Sequence, residues 1–179
     1  MRPSQKINGI ILTSKLIFEN DKILSLFSPE FGRIKLLVKH AKKSKKWLGR
    51  LEPTNVIHGE MSQGKTFHIL TQCEIEQSFP KLRINLDRLM MAFYFIDLVI
   101  KTTEIHQHHS ELFHLLLNGL HQLEQETELN GLKLSFQRQL LKNEGLLNRN
   151  QFDLPDETFQ SIFQDYTGKT IANFSTSAY

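Results

Sequence analysis

Up to about Glu76 the apolar residues of this chain come in short β-branched or aromatic runs punctuated by Gly, Pro and Asn, and past Phe79-Pro80 they recur every three or four residues. A period of two belongs to strands and one near 3.6 to helices, so this switch divides the chain into a β half and an α half. The predicted strands are Ile7 to Thr13, Lys22 to Phe27, Arg33 to Lys39, Thr54 to Met61 and Thr66 to Ile75, the last with Phe67, Ile69 and Thr71 on one face. Ser28-Pro29-Glu30-Phe31-Gly32 makes the tight connection between the second and third, and Ser62-Gln63-Gly64-Lys65 turns the fourth into the fifth. Five short strands leave exposed edges unless they close or pack, which points to a small barrel or sandwich.

The α half divides at its own punctuation. A first helix is predicted from Lys81 to Thr103, with Leu82, Leu86, Leu89, Met90, Phe93, Ile96 and Ile100 as its apolar face. Ser110 is the predicted N-cap of a second, with Leu112, Leu116, Leu120 and Leu123 on one side. Asn130-Gly131 is read as a break before a third, Leu132 to Leu147, which buries Phe136, Leu140 and Leu141 and has Gly145 near its end. Asp153-Leu154-Pro155-Asp156 opens a fourth, Glu157 to Tyr166, with Phe159, Ile162 and Phe163 on one side; beyond Gly168 the chain is rich in Ser, Thr and Ala. The expected fold class is therefore α+β with two domains: a five-stranded OB-fold barrel over residues 1–79 and an α-helical bundle over residues 80–179 that reads as incomplete at its C-terminal end.

Charge singles out one stretch. Between Arg33 and Arg50 stand eight basic residues (Arg33, Lys35, Lys39, Lys42, Lys43, Lys45, Lys46, Arg50) and no acidic one, while the whole chain carries only +3. The remainder holds 14 basic against 19 acidic residues, so the positive charge is concentrated in the β half. Arg33 and Lys35 alternate along a strand and Lys39 continues the row, which makes a stripe. Trp47 lies beside Lys42-Lys43-Ser44-Lys45-Lys46, and a ring next to a cationic run suits a polyanion whose bases can stack. Two roles stay open for Trp47, stacking on a base or anchoring the loop. The same basic run also fits a solvated surface, or an interaction module that binds RNA or an acidic protein.

The sequence argues against most enzyme classes. Ser14, Ser28 and Ser44 have no nucleophile-elbow setting, and Gly64-Lys65-Thr66 lacks the preceding glycine of a phosphate loop. His106, His108 and His109, with His114 and His121 nearby, lack the carboxylate spacing of a metal motif and read as a solvated connection between helices. Cys73 is the single cysteine, so neither an intrachain disulfide nor a multi-cysteine zinc site is expected, and a buried thiol is the expected role. No apolar run reaches membrane-spanning length and polar residues interrupt the N-terminal apolar stretch, so the expected location is cytoplasmic.

The order of several short stretches resembles a known family. Gly9-Ile10-Ile11-Leu12, Lys22-Ile23-Leu24, Phe27 to Ile34, Val38-Lys39-His40-Ala41-Lys42-Lys43 and Leu48-Gly49-Arg50-Leu51-Glu52-Pro53 resemble the amino-terminal domain of RecO, the bacterial recombination mediator. Thr71-Gln72-Cys73-Glu74, Phe79-Pro80-Lys81-Leu82-Arg83, Glu111-Leu112-Phe113 and the stretch from Phe136 to Gly145 continue the likeness, which covers about residues 7–147.

The resemblance implies an OB-fold followed by a helical bundle. It also implies a non-enzymatic protein that binds single- and double-stranded DNA, anneals complementary strands, works with RecR, and contacts the acidic, apolar tail of single-strand DNA-binding protein to help load RecA on gaps. The family's DNA-contacting positions match Arg33, Lys35, Lys39, Lys42 and Lys43. Lys133, Arg138 and Lys142 on the third helix are the candidates for the acidic tail. Two departures stand out: many members carry a four-cysteine zinc module that this chain lacks, and His40 occupies a position where the family pattern expects Gly.

Overall fold

The first strand, β1 (Ser4–Ile17), is long enough to serve two neighbours. Its first half pairs antiparallel with β4 (Val56–Ser62), and from Ile10 onward it pairs antiparallel with β2 (Asp21–Ser28). A bulge between Ile11 and Thr13 supplies the bend this sharing needs. β2 continues antiparallel into β3 (Gly32–Val38), and β4 into β5 (His68–Gln77). The ring β1-β2-β3-β5-β4 then closes through parallel pairing of β3 with β5 at Leu36↔His68 and Leu37↔Ile69. The structure, a computed structural model, describes residues 4–125, 128–147 and 154–171, so the expected helix start at Asp153 and the tail beyond Ile171 lie outside it.

The barrel is five-stranded, as the strand count required, with boundaries shifted by a few residues. β1 runs to Ile17 rather than Thr13, which lengthens its hairpin with β2. β3 shows the expected alternation: Ile34, Leu36 and Val38 turn into the core with Ile11, Leu24, Leu26 and Ile57, whereas Lys35 is exposed and Arg33 half-buried. Gly32 at the start of β3 has φ 65, and a Cβ there would lie 2.1 Å from the Gln107 carbonyl oxygen. Only glycine meets both demands.

The chain forms two compact units, Met1–Ser78 with Glu104–Ser110, and Phe79–Thr103 with Glu111–Tyr179. The connecting segment thus packs with the barrel: Ile105 bridges Arg33 in parallel sense, and the His106 N–H donates to the Arg33 carbonyl at 3.0 Å.

The helical unit corrects several expectations. The long first helix is two, α1 (Pro80–Ile84) and α2 (Leu86–Thr102), because Asn85 is extended and its side chain accepts from the Arg88 N–H at 3.0 Å, capping a new start. Of the apolar face expected on α2, Ile96 is buried, but the core-facing stripe is otherwise a different one. Met91, Ala92, Phe95, Leu98 and Val99 face the core, while Leu86, Met90 and Phe93 are exposed. α3 (Ser110–Gln125) buries Leu112, Leu116, Leu120 and Leu123 as expected. Asn130-Gly131 does not break the chain. α4 (Leu129–Asn143) begins before it, because the Glu128 carboxylate accepts the Asn130 and Gly131 N–H groups at 3.1 and 2.5 Å. It ends before Leu147, where Gly145 at φ 70 and Leu146 return their N–H groups to Lys142 and Leu141. α5 (Asp156–Thr167) buries Phe159 and Phe163, with Ile162 half-buried.

A polar network ties α5 to α4 and α2. Asp156 forms an ion pair with Lys133 and accepts from Gln137 Nε2 at 3.0 Å, and the same Nε2 donates to the Tyr94 hydroxyl at 2.8 Å. The Lys133 Nζ also stands 5.7 Å from the centroid of the Tyr94 ring. Lys133 is therefore buried and internally paired, contrary to its expected place on a partner-binding face.

Burial opposes ionisation of Asp156, but hydrogen bonds from Lys133 and Gln137 and the ammonium charge outweigh it and hold the carboxyl below its ordinary value. A depressed carboxyl stabilises the fold above the unfolded Asp value of about 3.9 and loses that contribution as pH falls through its folded value. Acidification below about pH 4 should thus lower the amide protection factors across α5, taken relative to the intrinsic exchange rate at each pH. Asp156→Asn should show lower protection factors at neutral pH and no such pH step.

Candidate nucleic-acid interface

The basic stretch between β3 and β4 is held in place by its own backbone and by three apolar side chains. Ala41, Trp47 and Leu51 drop into the barrel core, and Lys45–Trp47 forms a single 3-10 turn. His40 has φ 54, the left-handed conformation that the expectation of Gly at this position implied, and its N–H donates to Asp21 Oδ1 at 2.8 Å. The Lys42 N–H donates to the Asn20 carbonyl at 3.1 Å. At the far end, Asn55 is buried and its Nδ2 donates to the Gly49 and Arg50 carbonyls at 2.9 and 3.2 Å. Asn20, Asp21 and Asn55 thus position the loop. Sequence reasoning passed over them, because short polar residues beside turns are too common to signal a role.

Trp47 is a correction. Its indole is 4% exposed within the barrel core, so of its two open roles it takes the anchoring one and offers no face to a base. Lys46 lies over that ring with Nζ 4.3 Å from the centroid, and donates to the Thr71 carbonyl at 2.9 Å. Arg50 is half-buried and donates from Nη1 to the Cys73 carbonyl at 2.8 Å. These two cations are engaged with β5 rather than held out to a ligand.

Arg33 is half-buried beside Glu104; burial lowers the pKa of its guanidinium and that carboxylate raises it, the net shift being downward. Lys35, Lys39, Lys42, Lys43 and Lys45 are exposed, and no described acidic side chain pairs with them. Five of the nine expected DNA-binding residues therefore form an uncompensated positive surface along β3 and its loop. The open groove of about 930 Å³ on β1, β4 and β5 is different in character: Lys6, Lys46, Arg50 and His58 share it with Glu30, Glu60 and Glu74. Mixed charge makes it a poor phosphate track, and of the two faces the lysine surface is the one whose charge suits a polyanion.

The histidines are dispersed. His106 and His108 are exposed on the barrel-side connection, His114 is exposed on α3, and His121 packs edge-on against Phe79 with centroids 5.4 Å apart. Among the described residues no three His, Cys, Asp or Glu side chains are grouped as a metal site requires. Cys73 is buried, and that burial, against the pull of Arg50 and Lys46, pushes its thiol up to about 11. On α4, nine residues separate Lys133 from Lys142, about half a turn round the helix axis at 100° per residue. Arg138 is half-buried, and Lys142 borders a groove of about 610 Å³ between α3 and α4 with Glu111, His114 and Leu115. The three tail candidates are therefore not one patch.

Residues 1–79 match the family model described as Recombination protein O N terminal, and residues 83–147 the one described as Recombination protein O C terminal. The chain belongs to the RecO family. Similar proteins include the DNA repair protein RecO of Bacillus mycoides, 30% identical over 83% of this chain and 60% of that protein. The DNA repair protein RecO of Alkaliphilus metalliredigens is 29% identical over 79% of this chain and 58% of its own length. That of Pelotomaculum thermopropionicum is 34% identical over 64% of this chain and 45% of its length. This RecO-family chain thus spans about half of the length of the curated relatives it matches. Its five-stranded barrel coincides with the N-terminal match and α2 to α4 with the C-terminal one.

Truncating the anchor should unfold the barrel rather than merely weaken a contact: Trp47→Ala is expected to cost about 3–5 kcal/mol in denaturant unfolding, and Trp47→Phe much less. The Cys73 thiol should react slowly with a disulfide reagent at pH 8 in the native state and at the free-thiol rate after unfolding.

Proposed function

We propose that this protein is a non-enzymatic DNA-binding mediator of recombinational repair. It binds single- and double-stranded DNA through its barrel with little sequence preference and anneals complementary strands. With RecR, it helps load RecA on gaps coated by single-strand DNA-binding protein, in the cytoplasm. The observation that carries this reading is the row of five exposed, unpaired lysines on β3 and the loop after it, in a chain of the RecO family. Phosphate contacts carry no base information, and the row holds only ammonium groups, so affinity without sequence preference follows. A positive surface that holds two strands reduces their mutual repulsion, which is the physical basis for annealing. For the tail of single-strand DNA-binding protein, Lys142 and Arg138 remain the basic groups on α4, with Lys142 beside the α3–α4 groove.

Binding of a fluorescent single-stranded oligonucleotide at varied salt tests the reading. With five phosphate contacts, log K against log salt should fall with a slope of about −3.5 for single strands. Changing Lys35, Lys39, Lys42, Lys43 and Lys45 together to Gln should flatten that slope without lowering the melting temperature. Arg50→Gln, which removes a bond to β5, should lower the melting temperature more than the slope. Equal competition by an acidic peptide of the same charge would instead place an acidic protein in the site.

A further inference from the structure

With Trp47 buried, the lysine surface lacks the aromatic expected in its own loop, but another stands exposed on the hairpin bonded to that loop. Phe18 sits at the tip of the β1–β2 hairpin and is 88% exposed, more than any other large apolar side chain described. Its backbone is at φ 52, in the left-handed region that bulky side chains seldom adopt and that hairpin tips fill with Gly, Asn or Asp. The fold gains little from this side chain: it buries almost no surface and costs conformational energy.

The tip is fastened to the basic loop at two points. Asn20, two residues after Phe18, takes the Lys42 N–H at 3.1 Å, and Asp21 takes the His40 N–H at 2.8 Å. Two extended residues span at most about 7 Å, so the backbone of Phe18 stands close to the point where the hairpin is bonded to the loop that carries Lys39, Lys42 and Lys43. The neighbouring Glu19 is exposed and repels phosphate. A polyanion is therefore drawn to the lysine side of the tip, and what can meet Phe18 is the uncharged part of a nucleotide.

We infer that Phe18 is a stacking platform for an unpaired base of a single strand whose phosphates lie on Lys39, Lys42 and Lys43. This rests on the DNA-binding reading above and adds to it a preference for single strands, because a duplex interior presents no free base face.

The test uses Phe18→Gly and Phe18→Trp in the whole chain. Glycine removes the ring and also relieves the left-handed backbone, so the melting temperature should stay level or rise while affinity for a short oligo(dT) falls between about fivefold and a hundredfold. The salt slope and the affinity for a blunt duplex should not change, since no charge is lost. Phe18→Trp should restore binding and give an emission quenched by oligo(dT), whereas the Trp47 emission of the parent protein is not quenched. Undiminished oligo(dT) binding by Phe18→Gly, with the parent binding normally, overturns the platform and leaves the lysine surface standing. An equal loss for duplex and single strand overturns the stacking role as well. No binding by the parent protein at low salt overturns the DNA-binding reading and this one with it.

Discussion

The barrel depends on how little joins β3 to β5. The two strands run parallel but offset, meeting only at Leu36 and Leu37 against His68 and Ile69, so each overhangs the other. A buried or half-buried backbone group without a partner costs on the order of 1–3 kcal/mol, and the overhangs are filled accordingly. At the start of β3 the connecting segment 104–110 pairs with Arg33, close enough that residue 32 must be glycine. Past Ile69 the Thr71 and Cys73 carbonyls of β5 receive Lys46 and Arg50 instead of a strand. Side-chain cations there complete what amide groups do elsewhere in the ring.

That requirement sorts the basic loop into two populations. Its inner members, Lys46 and Arg50, are used to close the barrel, and Trp47 fastens the loop between them. Its outer members, Lys39, Lys42, Lys43 and Lys45, with Lys35 on β3, keep their charges in solvent. The two populations support each other. A loop pinned by apolar anchors and carbonyl bonds holds its free ammonium groups in a fixed pattern, which lowers the ordering cost that a polyanion would otherwise meet on binding. Burial that raises the Cys73 thiol belongs to the same packing and removes the nucleophile that might have given this face a chemistry of its own.

The helical unit shows where a periodic pattern is ambiguous. Along α2 the residues Leu86, Met90 and Phe93 keep helical spacing, and so do Met91, Phe95 and Leu98. Spacing identifies a helix but not which of two apolar stripes will be covered. The choice was made by Phe136 of α4, which stacks on Phe95 with centroids 3.9 Å apart, over Gly119 of α3, where a Cβ would come within 3.0 Å of the Phe95 ring. Lys133 was misread for a related reason: on a helix wheel it is a surface cation, and only the arrival of α5 with Asp156 turns it inward. Asn130-Gly131 looked like a break because its composition is that of a turn, yet the Glu128 carboxylate satisfies the N–H groups such a pair would leave bare.

Local physics was enough to make much of this protein legible. Strand and helix periods are set by backbone geometry, so the five strands, most helices, and the segregation of charge into the stretch from Arg33 to Arg50 could be read from the residues alone. The left-handed turn at position 40 could not, because a His where the family pattern expects Gly argued against the conformation that His40 in fact adopts. What the sequence could not decide is which charges are free and which aromatic is exposed. Lys45 and Lys46 are neighbours in sequence, but one reaches a β5 carbonyl 25 residues away and the other does not. Trp47 and Phe18 are both aromatic residues in or beside turns, yet one fills the core and the other stands in solvent. Those outcomes are settled by partners distant along the chain, and distance along the chain is what folding removes.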